Sequence, residues 1–237
     1  LKEDIGTGDI TTDSCVPASA VSHGYFRAKA EGVVCGVEVV TRVFELIDPD
    51  VKVTVLVSDG GKVSKGDVIA EIDGPSRSIL TGERVSLNLL QHMSGIATAS
   101  NEAAKAVSGT KARIADTRKT TPGLRVLEKY AVKTGGGSNH RFNLSDGVLI
   151  KDNHIVAAGG IKNAVEAVRK NIPHTLKIEV ETETMEQVSE AVEAGAHSLS
   201  EEPNYKMGIR RPDLLLMAAV TALYSVLAFT NLGDTQA

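Results

Sequence analysis

From position 51 the chain alternates apolar and polar residues: Val51, Lys52, Val53, Thr54, Val55. A two-residue period with β-branched side chains predicts a half-buried strand over 51–57. Asp59-Gly60-Gly61-Lys62 predicts a turn, and 68–72 a second strand that Asp73-Gly74-Pro75 ends. Residues 1–80 therefore read as a small, sheet-rich α+β unit. From 78 to 107 the period becomes helical, with Leu80, Val85, Leu87, Leu89, Leu90 and Met93 on one face. Thr81 to Arg84 reads as the helix start and Gly95 as a break into two helices. Beyond 110 strands and helices alternate. Strands are predicted at 112–116, 147–151 and 176–181. Helices are predicted at 122–133, 161–170 and 185–193. That rhythm implies βα units and a parallel sheet or barrel. It stops after about four units, so the predicted fold class is α/β: an amino-terminal α+β sandwich followed by an incomplete (β/α) barrel.

Gly60, Val63, Gly66-Asp67 and Ile69 also resemble lipoyl and biotinyl carrier domains. Lys62 and Lys65 lack the hairpin-tip setting of a modified lysine, so the segment is read as structural. The charge-free run 214–230 has 17 residues, just short of the roughly 18 of a membrane span, and a buried helix is expected there.

Composition narrows the classes. A hydrophobic share of 42% with 24% charged residues fits a globular chain rather than a disordered one. Trp is absent, aromatics are 3% and the net charge is -4, which argues against a nucleic-acid platform. Cys15 and Cys35 form neither a disulfide framework nor a zinc motif, which fits a reducing compartment. The chain opens at Leu1 with no signal-peptide pattern, and a cytoplasmic location without membrane attachment is expected.

The chemistry concentrates between 111 and 151. Nine basic residues there (Lys111, Arg113, Arg118, Lys119, Arg125, Lys129, Lys133, Arg141, Lys151) face only Asp116, Glu128 and Asp146. A basic cluster is ordinarily a solvated surface. Here Arg118-Lys119 follows a predicted strand, Lys151 ends another, and His140-Arg141 follows the Gly135-Gly136-Gly137 turn. Strand ends of this kind are where parallel sheets and barrels place their sites. A cavity walled by Arg, Lys and His selects a small polyanion. Glu179 and Glu181 share one strand face. Glu181 is open to two roles, holding Mg²⁺ beside substrate phosphates or bonding sugar hydroxyls. The triple glycine matches neither the dinucleotide fingerprint nor the P-loop. His92 and His174 read as isolated.

Asp116-Thr117-Arg118-Lys119-Thr120-Thr121-Pro122-Gly123-Leu124-Arg125 resembles the DTRKTxPGLR motif of quinolinate phosphoribosyltransferases. Further blocks agree in order: Glu3-Asp4-Ile5-Gly6 through Thr12, Gly82-Glu83-Arg84-Val85-Ser86-Leu87-Asn88, Ser94-Gly95-Ile96-Ala97-Thr98, the 135–141 turn, 149–154 and 177–181. The resemblance covers about residues 1–195. It implies transfer of phosphoribose from phosphoribosyl pyrophosphate to quinolinate with decarboxylation, with Mg²⁺ as cofactor. It further implies that Arg118, His140, Arg141 and Lys151 bind the quinolinate carboxylates. Thr117, Lys119 and Lys151 would serve the substrates and donor, and Lys119, Lys151 and Glu181 the catalysis. Arg84 would enter the partner's site in a homodimer with shared active sites.

After Ala196 the pattern departs. Glu202 stands where the family has a metal-binding Asp, and is the second metal candidate beside Glu181. The later βα units have no counterpart. The expected organisation is a sandwich with central helix over 1–97, a partial barrel over 98–202 and a divergent tail over 203–237. Two alternatives follow: an inactive or partner-dependent truncated subunit, or a paralogue acting on another pyridine carboxylate.

Overall fold

The structure is a computed structural model that describes residues 1–201 and the strand 227–229. It divides into two compact units, one holding residues 1–139 with that strand, the other starting at His140.

The first unit is built on an antiparallel sheet. β1 (Val21–Ala28) pairs with β5 (Val68–Pro75), and β5 pairs on its other side with β3 (Lys52–Val55). β2 (Gly32–Val33) and β4 (Lys62–Val63) form a separate short ladder. Gly24, Phe26 and Ala28 alternate inward along β1. Helix α3 (Val37–Ile47) buries Val37, Val40, Val43 and Phe44, the spacing of one helical face. Helix α4 (Ser76–Ala106) buries Ile79, Leu87 and Leu90 against the same core as Phe26, Ile69 and Ile72. The 31 residues of α4 run unbroken through Gly95, which is buried, and the helix begins at Ser76 rather than at Thr81. The predicted break fails because a glycine costs a helix only about 1 kcal/mol, and the packed face around it outweighs that.

At the amino terminus, α1 (Lys2–Ile5) and α2 (Ile10–Cys15) frame the first motif block. Asp9 caps α2, accepting from the Thr12 amide at 3.0 Å and the Thr12 hydroxyl at 2.6 Å. Those bonds hold its carboxyl below the usual carboxylate range. The strand predicted at 112–116 is only an isolated bridge, Ala115 to Ser138. Helix α5 (Arg125–Thr134) starts three residues later than predicted, since Thr121–Leu124 closes a turn through the Leu124 amide and the Thr121 carbonyl.

In the second unit, β6 (Val148–Ile150), β7 (Ile178–Thr182) and β8 (Ser198–Glu201) form a parallel sheet in that order. Helices α6 (Asp152–Ala158) and α7 (Ile161–Asn171) connect the first pair and α8 (Met185–Glu193) the second. Ile150, Ile161, Ala164, Val165, Ile178, Val180 and Ala191 make its core. The mixed α/β class expected from the sequence is what the chain adopts.

Of the run predicted as a buried helix over 214–230, the described part is strand β9 (Leu227–Phe229), antiparallel to β1 with Phe26 opposite Phe229. A free strand edge offers a row of unpaired amides and carbonyls, and this short apolar segment pairs with it. The remainder of that run, Glu202 and the rest of the 203–237 tail lie outside the described residues. Among the described residues no helix is long and apolar enough to cross a membrane.

Candidate active site

In the first unit, the Asp116–Arg125 loop carries Thr117, Arg118 and Lys119. The Asp116 amide donates to the Ser138 carbonyl at 3.0 Å, which anchors the loop at the isolated bridge. The Lys119 amide donates to the Thr117 hydroxyl at 3.0 Å, folding the backbone into a tight local turn. Lys119 is exposed and Arg118 half-buried. The Arg118 Nε is buried with no hydrogen-bond partner among the described residues. A buried donor left without a partner carries a desolvation cost.

Three carboxylate contacts fix this loop and its flanks. Lys129 Nζ reaches Asp116 Oδ1 at 2.5 Å, with both side chains almost fully buried. His92 Nε2 lies 2.9 Å from Glu128 Oε1. The other oxygen of Glu128 accepts from the Thr121 amide at 3.1 Å. Burial alone pushes the Glu128 carboxyl up, but the hydrogen bonds from Thr121 and His92 outweigh it and hold the group below its ordinary value. His92, read as isolated, is thus paired across 36 positions. The sequence pattern places Lys129 in the basic cluster and Glu128 against it, but gives neither a partner. The available signal was charge on the helix face shared with Ala131, the one face of α5 that is buried.

Arg84 projects from the middle of α4 and is exposed. Its neighbour Glu83 is half-buried, and desolvation raises its carboxyl pKa despite the Arg84 charge.

The triple glycine is explained by packing. A Cβ on Gly135 would lie 2.2 Å from the Ala97 carbonyl oxygen of α4 and 2.7 Å from Ser100 Cβ. Gly136 has a φ of 98°, the left-handed region that favours glycine. The turn is therefore built for backbone approach to α4.

In the second unit, Lys151 follows β6 as the N-cap of α6, and Glu181 lies near the end of β7. Their Nζ and Oε1 atoms are 2.9 Å apart. His140 Nε2 lies 2.9 Å from Glu179 Oε2. Arg141 is held by the Gly147 carbonyl at 3.1 Å. Ile178 and Val180 pack into the helix-covered core, so Glu179 and Glu181 occupy the opposite face of β7. The predicted sharing of one face by the two glutamates is what the strand register gives. A cleft at these strand ends is lined by Asp152, Ile155, Val156, Glu181, Glu183 and Gln187. The Lys151 amide donates to His154 Nδ1 at 2.9 Å, closing the first turn of α6. Four of the predicted residues (His140, Arg141, Lys151, Glu181) therefore belong to this unit, and Arg84, Thr117, Arg118 and Lys119 to the other. Among the described residues, no three His, Cys, Asp or Glu side chains gather as a metal cage.

Two family models match the chain. The one described as the N-terminal domain of quinolinate phosphoribosyl transferase matches residues 9–94. The one described as its C-terminal domain matches 96–200. A probable carboxylating nicotinate-nucleotide pyrophosphorylase of Bacillus subtilis is 50% identical over 194 residues, covering 82% of this chain and 67% of that relative. Its counterpart in Synechocystis is 47% identical, covering 81% of this chain and 65% of that relative. The chain thus spans about two thirds of the length of these relatives. The crystal structure of NadC from Streptococcus pyogenes superposes with a TM-score of 0.82 at 38% identity, over 94% of this chain and 77% of that one. The matched segments contain every one of the motif blocks from the Asp116 loop to the Glu181 strand, and the chain belongs to the quinolinate phosphoribosyltransferase family.

Proposed function

We propose that this chain transfers phosphoribose from phosphoribosyl pyrophosphate to quinolinate, releasing pyrophosphate and CO2 and leaving nicotinate mononucleotide. The observation that carries this reading is the Lys151–Glu181 pair, 2.9 Å apart where β6 and β7 end beside an open cleft. Cation and carboxylate there serve a substrate that brings both anionic groups and a ribose.

In this reading Arg118, His140, Arg141 and Lys151 bind the two quinolinate carboxylates. Arg grips a carboxylate through two parallel N–H bonds, which fixes the ring plane. Thr117, Lys119 and Lys151 receive the donor. The pyridine nitrogen attacks the anomeric carbon as the bond to pyrophosphate breaks. Lys119 neutralises charge gathering on the leaving oxygens, an electrostatic contribution needing no protein nucleophile. The pyridinium so formed draws in the electron pair of the 2-carboxylate bond. CO2 leaves, and a proton replaces it at C2. Lys151 and Glu181 hold the groups in place through these steps.

Glu181 fits Mg²⁺ as a half-buried oxygen donor, because Mg²⁺ is commonly held by one or two carboxylates together with substrate phosphates. Such an ion would screen the diphosphate charge. Glu202 is the second carboxylate proposed for it. Residues 1–97 would serve as the sandwich domain and 98–202 as the catalytic one. Arg84, exposed on α4, would complete the site of a second copy in a homodimer. Two unpaired cysteines support a reducing, cytoplasmic setting.

The test is direct. Purified chain with Mg²⁺, quinolinate and phosphoribosyl pyrophosphate should yield nicotinate mononucleotide and CO2. Absence of product from folded protein overturns the reading. Arg141→Ala should weaken quinolinate binding about tenfold or more, the loss of one charge-assisted pair. Unchanged affinity would remove Arg141 from the pocket.

A further inference from the structure

The substrate-binding loop Asp116–Arg125 is tied down at two points by consecutive residues of one helix. Lys129 holds Asp116 at 2.5 Å, and Glu128 holds the Thr121 amide at 3.1 Å. Thr117, Arg118 and Lys119 lie between those points. Neither tie stands alone. Asn139, its amide oriented to donate, reaches Asp116 Oδ2 at 2.8 Å and the Lys129 carbonyl at 2.9 Å. His92 braces Glu128 from α4 at 2.9 Å. Arg125 Nε donates to the Thr120 hydroxyl at 3.0 Å, adding a bond within the loop.

Burial makes these ties firm. The Lys129 and Asp116 side chains are 3% and 7% exposed, and those of His92 and Glu128 14% and 11%. Buried charge-assisted bonds are short and geometrically selective. A loop fixed at both flanks loses little freedom when a ligand arrives, and that ordering cost otherwise subtracts from affinity.

We propose that Glu128 and Lys129 form a clamp, braced by His92, that presets the loop so that Arg118 and Lys119 meet their substrates without rearrangement. They are positioning residues and touch no reacting atom. The inference rests on the reading of Arg118 as a quinolinate ligand.

Calorimetric titration of quinolinate into four proteins tests it: wild type, Glu128→Ala, Arg118→Ala and the double variant. Each single change should weaken binding about tenfold or more. The double variant should be no more than about threefold weaker than Arg118→Ala, because both changes act through one side chain. Glu128→Gln keeps an acceptor for the Thr121 amide and should restore affinity to within about threefold of wild type. Additive losses, or full affinity in Glu128→Ala, overturn the clamp while leaving Arg118 as ligand. Full affinity in Arg118→Ala removes the ligand itself, and the clamp with it. Should Glu128→Ala fail to fold, hydrogen exchange on wild-type protein decides. Protected amides in the 116–125 segment without substrate support the preset loop. Protection that arises only on adding quinolinate overturns it.

Discussion

At the scale of single residues, the two cysteines differ sharply in environment. Cys15 is exposed at the end of α2, whereas Cys35 is fully buried and its amide is held by the Ser94 hydroxyl at 2.9 Å. Burial pushes the Cys35 thiol up to about 12, a Thr134 hydrogen bond opposing and Asp59 adding to the rise. The thiolate is the reactive form, and at pH 8 only about 1 in 10⁴ of such a thiol would be ionised. A maleimide at pH 8 should therefore modify one thiol in the folded chain and both after denaturation, as read by intact mass. Rapid modification of both would show that the Cys35 environment is open. Candidate residues were legible in the sequence where charge gathers locally in the chain. Arg118-Lys119 and His140-Arg141 stand out as charge beside turns. His92 did not stand out, because its partner Glu128 lies 36 residues away and only packing of α5 on α4 brings them together.

Elements were legible where one period ran undisturbed. Met185–Glu193 is helix α8 as read, with Thr184 capping it through the Gln187 amide. Ile161 begins α7, and Ile178–Thr182 overlaps its predicted strand. The failures share a cause, which is that nearby glycine, proline and charge signals are overruled by packing or by local turns. Gly95 does not break α4, Pro122 sits in a turn before α5, and the 112–116 segment makes a single bridge. The Gly135 turn shows the same dependence from the other side. Its sequence marks a turn that matches neither nucleotide-binding pattern, and in the structure it is the site where α5 ends against α4 at backbone distance. Its φ is -74°, so alanine meets no backbone penalty there and only the contact counts. With a Cβ 2.2 Å from the Ala97 oxygen, Gly135→Ala must force the two helices apart. Overpacking of this kind costs about 1–3 kcal/mol, equivalent to a fall in Tm of about 5 °C for a chain of this size. Thermal unfolding should show it. A Tm within about 1 °C of wild type would mean that the turn yields freely and that the approach of α5 to α4 is slack.

At the scale of the whole molecule, the issue is whether one copy holds a complete site. Arg84 stands exposed on α4, with no ion pair among the described residues, while Lys151 and Glu181 face each other in the second unit. Under the homodimer proposed above, Arg84 serves the neighbour's site and Lys151 its own. Two variants, Arg84→Ala and Lys151→Ala, each expected to be inactive alone, then separate the possibilities. In a mixed dimer, one site combines native Lys151 from one copy with native Arg84 from the other. The second site carries both defects. Twofold interfaces exchange equivalent residues, so equal mixing makes about half of the dimers mixed, each with one working site. Recovered activity should approach about a quarter of the wild-type level. Full-length protein unfolded and refolded together, with mixed dimers verified by native mass, provides the measurement. Recovery no greater than the sum of the two variants, despite verified mixed dimers, would place Arg84 in the site of its own chain or outside any site. Recovery near a quarter would mean that each working site joins one chain's Lys151 to another chain's Arg84.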